Sequence, residues 1–135
     1  MAEKKIHFKL ITPEKIVYEG DVDAIYAKGT KGSFGVLYGH IPFMSTIEID
    51  VAKVTNDSDE IVFSVMGGVF QFKNNEAIIL AEAAENGNDI DTARAKLAKE
   101  RAEARLGSAQ TKKDIKKANA AIARAMARLK AASKR

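Results

Sequence analysis

Four arginine side chains in the last third of the sequence are spaced so that they could bind an anion. Arg94 and Arg101 are seven residues apart and Arg124 and Arg128 are four apart, so each pair would share one face of a helix. A planar guanidinium group donates paired hydrogen bonds to phosphate or carboxylate oxygens, whereas lysine acts as a point charge. In two antiparallel helices the four groups could meet around one ligand. The alternative is a solvated face of a basic, alanine-rich helix, which has the same pattern.

The sequence contains no recognisable catalytic or metal site. Its two imidazoles are His7 and His40, and no Ser-His-Asp set, phosphate loop or dinucleotide glycine pattern can be assembled. His40 lies in a glycine-rich loop, where a structural hydrogen bond is the simpler expectation. Gly32-Ser33-Phe34-Gly35 has neither a following helix nor a Lys-Ser/Thr pair, so it indicates tight β packing. We therefore predict a binding protein without an active site, metal or prosthetic group.

The chain divides into two segments of opposite charge. Residues 1–85 hold eight Lys or Arg and 13 Asp or Glu, a net charge of −5, whereas residues 86–135 hold 14 and five, a net charge of +9. All six Phe and all three Tyr lie in the first segment, while 14 of the last 50 residues are Ala. Because large apolar side chains are needed for a core, we predict a domain over 1–85 and a regulatory tail over 86–135.

The first segment has the pattern of a β sandwich or barrel. Short apolar or alternating runs are separated by turn residues every 8 to 12 positions. The Lys73-Asn74-Asn75-Glu76 sequence predicts a tight hairpin, since Asn tolerates left-handed backbone. Gly67-Gly68 is interpreted as a turn or a bulge. The runs are 6–11, 15–19, 22–28, 32–37, 43–49, 61–66, 69–73 and 76–81.

The second segment predicts an antiparallel helical hairpin. Asp89 or Asp91 can cap the first helix, and Gly107 is suited to end it. Thr111 followed three residues later by Asp114 resembles a capping box at the start of the second helix. Residues at alternating spacings of three and four form the seam of that helix: Ile115, Ala118, Ile122, Ala125 and Leu129. With so few large apolar side chains, the hairpin should need the β domain, a ligand or another protein to keep one shape.

Composition also limits the compartment and the partners. Without cysteine there is no disulfide or thiolate site, so a reducing, intracellular setting is the simpler expectation. No stretch approaches the run of about 20 apolar residues that a membrane-spanning helix needs, so we expect no direct membrane insertion. The basic tail lacks aromatic residues for base stacking, and nucleic acid therefore ranks behind a nucleoside triphosphate or an acidic protein surface as its partner.

Three motifs together identify a family resemblance. They are Thr12-Pro13-Glu14, the ungapped run Gly32-Ser33-Phe34-Gly35-Val36-Leu37-Tyr38-Gly39-His40-Ile41-Pro42, and Gly67-Gly68-Val69-Phe70. The chain resembles, over essentially its whole length, the epsilon subunits of bacterial ATP synthases. Two departures are Tyr38, where relatives often carry Pro, and Glu48-Ile49-Asp50, which replaces a Pro-Gly turn.

The resemblance implies a flattened ten-stranded β sandwich followed by a C-terminal two-helix hairpin. It also implies a place in the central stalk, between the gamma subunit and the c-ring, on the cytoplasmic face of the bacterial cell membrane. The folded hairpin would permit ATP hydrolysis. Extended along gamma, its positive charge would meet acidic segments of the beta and alpha subunits and obstruct hydrolysis.

Some members of this family bind ATP on the folded hairpin through an Ile/Leu-Asp-x-x-Arg-Ala motif. This sequence has Ile90-Asp91-Thr92-Ala93-Arg94-Ala95. By resemblance, Glu85 and Asp91 would hydrogen-bond the adenosine side, and Arg94, Arg101, Arg124 and Arg128 would surround the phosphates. ATP would then be a regulatory ligand and not a substrate. A static stalk connector with surface arginines and a free nucleotide sensor remain as alternatives.

Overall fold

A computed structural model describes residues 4–134; positions 1–3 of the first segment and 135 of the second lie outside the described residues. Eight strands precede a short 3-10 turn and two helices. The strands are β1 (Ile6–Ile11), β2 (Ile16–Val22), β3 (Ala24–Gly29), β4 (Gly32–Leu37), β5 (Phe43–Asn56), β6 (Asp59–Lys73), β7 (Glu76–Ala81) and β8 (Ala84–Asn86). The turn (Gly87–Asp89) is followed by α1 (Thr92–Ser108) and α2 (Lys112–Ala132).

The sheet folds over on itself and encloses the core, which confirms the predicted sandwich. Strands follow the order β2-β1-β7-β6-β5-β3-β4, and β8 pairs with β6. Only the β1–β7 pair is parallel among the described strands. Tyr18 of the edge strand β2 contacts Phe63 of β6 at a ring-centroid distance of 5.5 Å, although these strands are not hydrogen-bonded neighbours. The sandwich therefore has one core between the two layers of the folded sheet. It is formed by buried apolar residues of β1 to β7, among them Phe8, Phe70 and Phe72.

The structure has eight strands where about ten were expected, because β5 and β6 are each continuous through a bend. The runs 61–66 and 69–73 belong to the single strand β6, and the run 43–49 extends to Asn56 in β5. Gly67 and Gly68 lie inside β6 with φ angles of 77° and 152°. A Cβ atom on Gly68 would overlap the carbonyl oxygen of Leu80. The glycine pair thus bends β6 without ending it, and β6 keeps one register with β5 on both sides of the pair, so neither the turn nor the bulge expected there is formed.

Local turn chemistry explains the hairpins on either side of β6. Asn74 and Asn75 have φ angles of 53° and 59°, as expected for the tight turn between β6 and β7. Asp57, with a φ of 56°, serves the same purpose between β5 and β6. The sequence interpretation had not identified the Asp57 turn.

The two helices form the predicted antiparallel pair. The Asp91 Oδ1 accepts a hydrogen bond from the Arg94 amide at 3.1 Å, and the Thr111 Oγ1 accepts one from the Asp114 amide at the same distance. The prediction that Gly107 ends α1 was wrong. The helix continues through Gly107 and ends at Ser108, and the next residue, Ala109, caps it with extended backbone, so no left-handed glycine is used there.

Small side chains dock the hairpin on the sandwich. Ala131 and Ala132 at the end of α2 pack against Val62 and Ile90, with Val51 partly covered by the same cluster. A Cβ atom on Gly87 would overlap the carbonyl oxygen of Ala131, so the chain can pass there only as glycine. We call this contact, made by Val51, Val62, Ile90, Ala131 and Ala132, the docking cluster.

Candidate functional site

Glu85 and Arg128 come together where the sandwich meets the hairpin. The Arg128 Nε donates a hydrogen bond to the Glu85 Oε1 at 2.9 Å, linking β8 to the last third of α2. Both side chains remain partly exposed. One arginine and one carboxylate of the predicted site are therefore neighbours, paired with each other.

Asp91 and Arg94 lie on the first turn of α1. The Asp91 carboxylate caps the helix by accepting a hydrogen bond from the Arg94 backbone amide. This bond does not involve the Arg94 side chain, and Arg94 is exposed. An N-cap acceptor of this kind satisfies one of the free amides at a helix start. The Asp91 position thus has a local structural role in addition to the ligand role expected from the resemblance.

The remaining predicted site residues differ in how far they are exposed to solvent. Arg101 is exposed on α1, and Arg124 is partly buried on α2. Ile90 and Ala95 are buried, and Ile90 belongs to the docking cluster. Among residues 4–134, no acidic side chain forms an ion pair with Arg94, Arg101 or Arg124.

A second ion pair, between Lys130 and Asp50, ties α2 to β5 and was not found by sequence reasoning. The Lys130 Nζ donates to the Asp50 Oδ1 at 3.2 Å, and Lys28 lies 3.7 Å from the other oxygen. Burial alone would raise the pKa of the Asp50 carboxyl. The hydrogen bond from the Val51 amide and the charges of Lys130 and Lys28 outweigh burial and hold that pKa below its usual value. Asp50 lies in the Glu48-Ile49-Asp50 departure, which was the one available signal.

A cavity of about 600 Å³ adjoins this ion pair, between the sheet and the end of α2. Tyr26, Lys53, Asp50 and Lys130 are among its lining residues. The Lys53 Nζ lies 4.9 Å from the centre of the Tyr26 ring and 3.6 Å from Glu60, so this lysine is already engaged within the protein.

Exposed large apolar side chains lie on the β4–β5 loop and on the strand ends beside it, and we call them the apolar patch. Leu37, Ile41 and Met44 are 58%, 73% and 64% exposed, and Tyr38 lies between them. His40 of the same loop places its Nδ1 2.7 Å from the Ile41 carbonyl oxygen and packs edge-on against Phe43 and Phe72. Its contacts confirm the structural role expected for it. Several large apolar side chains exposed on one loop and the strands beside it are typical of a protein contact.

The other imidazole, His7, joins two strands by charge. Its Nε2 lies 2.9 Å from Glu19 and its Nδ1 lies 3.1 Å from Asp21, both on β2. Hydrogen bonds to Asp21 and then to Glu19 raise the pKa of His7 above its ordinary value.

Across residues 4–134, no group of three or more His, Asp or Glu side chains is arranged to hold a metal ion. Neither helix of the same part has the length and apolar character that crossing a bilayer requires.

Comparisons with known proteins agree over the whole described chain. Two family models match: the β-sandwich domain of the ATP synthase delta/epsilon chain over residues 5–87 and its long α-helix domain over residues 88–133. An ATP synthase epsilon chain of Nitratidesulfovibrio vulgaris (strain DP4) is 43% identical over 129 residues, which are 95% of this chain and 96% of the relative. One from Syntrophobacter fumaroxidans is 42% identical over 134 residues, 99% of each chain.

Solved structures show the same fold. A chain in the Euglena gracilis mitochondrial ATP synthase, solved with OSCP, F1 and the c-ring, is similar with a TM-score of 0.83 and 19% identity, over 97% of this chain and 82% of that one. A chain in the central stalk and c-ring structure of the Tetrahymena thermophila mitochondrial enzyme has a TM-score of 0.62 and 16% identity, over 97% and 98% of the two chains.

Proposed function

The chain belongs to the ATP synthase delta/epsilon family, and on that premise we propose that it is a non-catalytic stalk subunit with a regulatory tail. It joins the gamma subunit to the c-ring, peripheral to the cytoplasmic face of a bacterial cell membrane. It has no active site of its own. The family of its relatives supports this proposal, and the exposed apolar patch is the observation within the chain that carries it.

The patch is suited to a permanent partner because its apolar side chains are exposed to water, and burying them in an interface would release free energy. Burying an exposed large apolar side chain contributes about 1.5 to 3 kcal/mol. Three such side chains on adjacent parts of β4, the loop and β5 can therefore supply a substantial share of an interface. The surrounding sandwich holds them in place without the hairpin.

Charged substitutions in the patch test the stalk role. Ile41→Asp combined with Met44→Asp should lower the affinity of the chain for a reconstituted gamma and c-ring assembly at least tenfold. Ile16→Asp is the matched control, since Ile16 is a similarly exposed aliphatic residue on β2. Equal binding by the double variant and the wild type, measured by co-sedimentation, would contradict the proposal.

Inhibition of ATP hydrolysis is assigned to the hairpin. A tail of net charge +9 on a domain of −5 is suited to leave its own domain for acidic segments of the beta and alpha subunits. The attachment includes the docking cluster, in which no side chain is larger than isoleucine, and the partly exposed ion pairs of Arg128 and Lys130. Exposed pairs of this kind contribute about 0 to 1 kcal/mol each.

ATP is proposed as the ligand that favours the docked hairpin. Arg94 and Arg101 are reachable on α1, while Arg124 and Arg128 lie on the helix packed beside it. Phosphate oxygens could replace the Glu85 carboxylate as the acceptor for Arg128. ATP would then bridge the two helices, and their separation would remove the site. Because no base or metal carboxylate cluster accompanies these arginines, no hydrolysis is proposed.

A further inference from the structure

The face of the sandwich beneath the hairpin contains a buried hydroxyl group without a partner. Ser64 on β6 is 0% exposed, and its Oγ forms no hydrogen bond within residues 4–134. Burying a hydroxyl without a hydrogen bond costs free energy, because the group gives up its bonds to water. Alanine would fill nearly the same volume without that cost.

The alternation of β6 places Ser64 on the side that α2 covers. Phe63 and Val65 belong to the sandwich core, whereas Val62 belongs to the docking cluster. Successive side chains of a strand lie on opposite faces, so Ser64 shares the face of Val62.

The cross-strand neighbours of Ser64 lead to the same conclusion. Ser64 is registered with Val51 on β5 and with Glu85 on β8. Val51 belongs to the docking cluster, and Glu85 pairs with Arg128 of α2. Ser64 therefore lies among residues that α2 contacts directly, and the register is regular on both sides.

We propose that Ser64 is a built-in destabiliser of the docked hairpin. The hydroxyl is closed off from bulk solvent while α2 is seated, and it is exposed to solvent again when α2 leaves. Its cost falls on the docked state alone, so it moves the equilibrium toward release. This proposal rests on the mobile hairpin described above. It predicts that Ser64→Ala raises the ratio of docked to undocked molecules about tenfold.

The absence of cysteine from the sequence allows a direct test in the full chain. Ala132→Cys places a single thiol in the docking cluster, at a position only 5% exposed. A thiol reagent should reach it when α2 undocks, at a rate proportional to the undocked population if redocking is fast. Adding Ser64→Ala should slow this labelling about tenfold. Ser58→Ala, which removes an exposed hydroxyl from the β5–β6 turn, should leave the rate unchanged.

A second reporter separates this inference from the proposed function. Val36→Cys, buried in the sandwich core, reports opening of the β domain, and Ser64→Ala should not alter its labelling. An unchanged rate at position 132 would overturn the role of Ser64 and leave the mobile hairpin standing. Equal slowing at positions 36 and 132 would mean that hairpin and sandwich open together, which would overturn both.

Discussion

At the scale of single residues, Arg128 holds the hairpin to the sandwich, and on the proposed function the same side chain would bind the ligand. Its guanidinium bonds the Glu85 carboxylate at 2.9 Å, and a phosphate oxygen is an acceptor of the same charge and similar geometry. Ligand binding here would exchange one charge-assisted bond for another. The added affinity would have to come from the arginines that have no acidic partner in the described chain, Arg94, Arg101 and Arg124.

Arg94→Gln with Arg101→Gln should weaken ATP binding at least tenfold, because both guanidinium groups lie on the exposed part of the proposed site. Neither change removes an ion pair or the Asp91 cap, so the fold should be kept. Calorimetry of the full chain measures the effect. Lys96→Gln with Arg105→Gln removes the same charge from the same helix and should have a much smaller effect. Equal losses in both variants would reduce the site to nonspecific attraction, and no binding by the wild type at millimolar ATP would end the sensor proposal.

His7 predicts a pH-dependent contribution to stability. Its pKa is raised in the folded state, so the contribution is fully present below the unfolded value of about 6.5 and is lost as pH rises through the folded value. Glu19, whose pKa is lowered chiefly by His7, sets the lower limit of this window. The effect should be small, since the His7 side chain is 41% exposed.

Urea denaturation of wild type and His7→Gln from pH 5.5 to pH 9, a range set by that window, measures the His7 effect. The advantage of the wild type should shrink as pH rises. A gap between wild type and His7→Gln that is independent of pH would contradict the assignment.

At the scale of elements, α2 carries its charge in an unfavourable place. Lysine clusters in its first two turns, and positive charge in the first turn of a helix costs about 0.3 to 1 kcal/mol per side chain. These side chains are exposed and have no ion-pair partner among residues 4–134. They are Lys112, Lys113, Lys116 and Lys117. Because no acidic side chain of the described chain compensates for these lysines, an acidic partner outside the chain is expected to bind them.

Lys116→Gln with Lys117→Gln should therefore relieve inhibition of ATP hydrolysis in a reconstituted complex. The measure is the hydrolysis rate relative to a complex with the wild-type chain, and a severalfold increase is expected. Lys15→Gln with Lys73→Gln, a charge-matched change on the sandwich, should leave the rate as it is. If both double variants behave like the wild type, then steric fit and not charge holds the tail in place.

At the scale of the whole molecule, the sandwich should fold without its tail. Its core consists of residues from β1 to β7 and includes neither helix. Deleting residues 86–135 should leave a cooperative unfolding transition with a lower urea midpoint, since Val62 and Val51 lose their apolar contacts with the hairpin. Near-ultraviolet circular dichroism of the Tyr and Phe residues reports the packed core. A truncated chain without a cooperative transition would contradict the division at residue 85.

Features that depend on a few neighbouring residues were predictable from the sequence. The bounds of β1, β4 and β7, the Asn74-Asn75 turn and the caps at Asp91 and Thr111 all agree with the structure. Each depends on the alternation of apolar and polar residues, on a residue that tolerates left-handed backbone, or on a hydrogen-bond acceptor within three positions. The physical cause therefore lies in residues close together in the sequence. The end of α1 was not predicted correctly, since the helix passes through Gly107 and is ended by the extended backbone of Ala109.

The sequence by itself determined that an acidic sandwich precedes a basic hairpin, because charge and apolar content follow directly from composition. Only the tertiary structure decided which residues hold the two parts together. Arg128 meets Glu85 across 43 positions and Lys130 meets Asp50 across 80, and the Ser64 hydroxyl is buried beneath the hairpin. Such contacts depend on the path of the whole chain and on the face each strand presents. No local pattern of residue types contains that information.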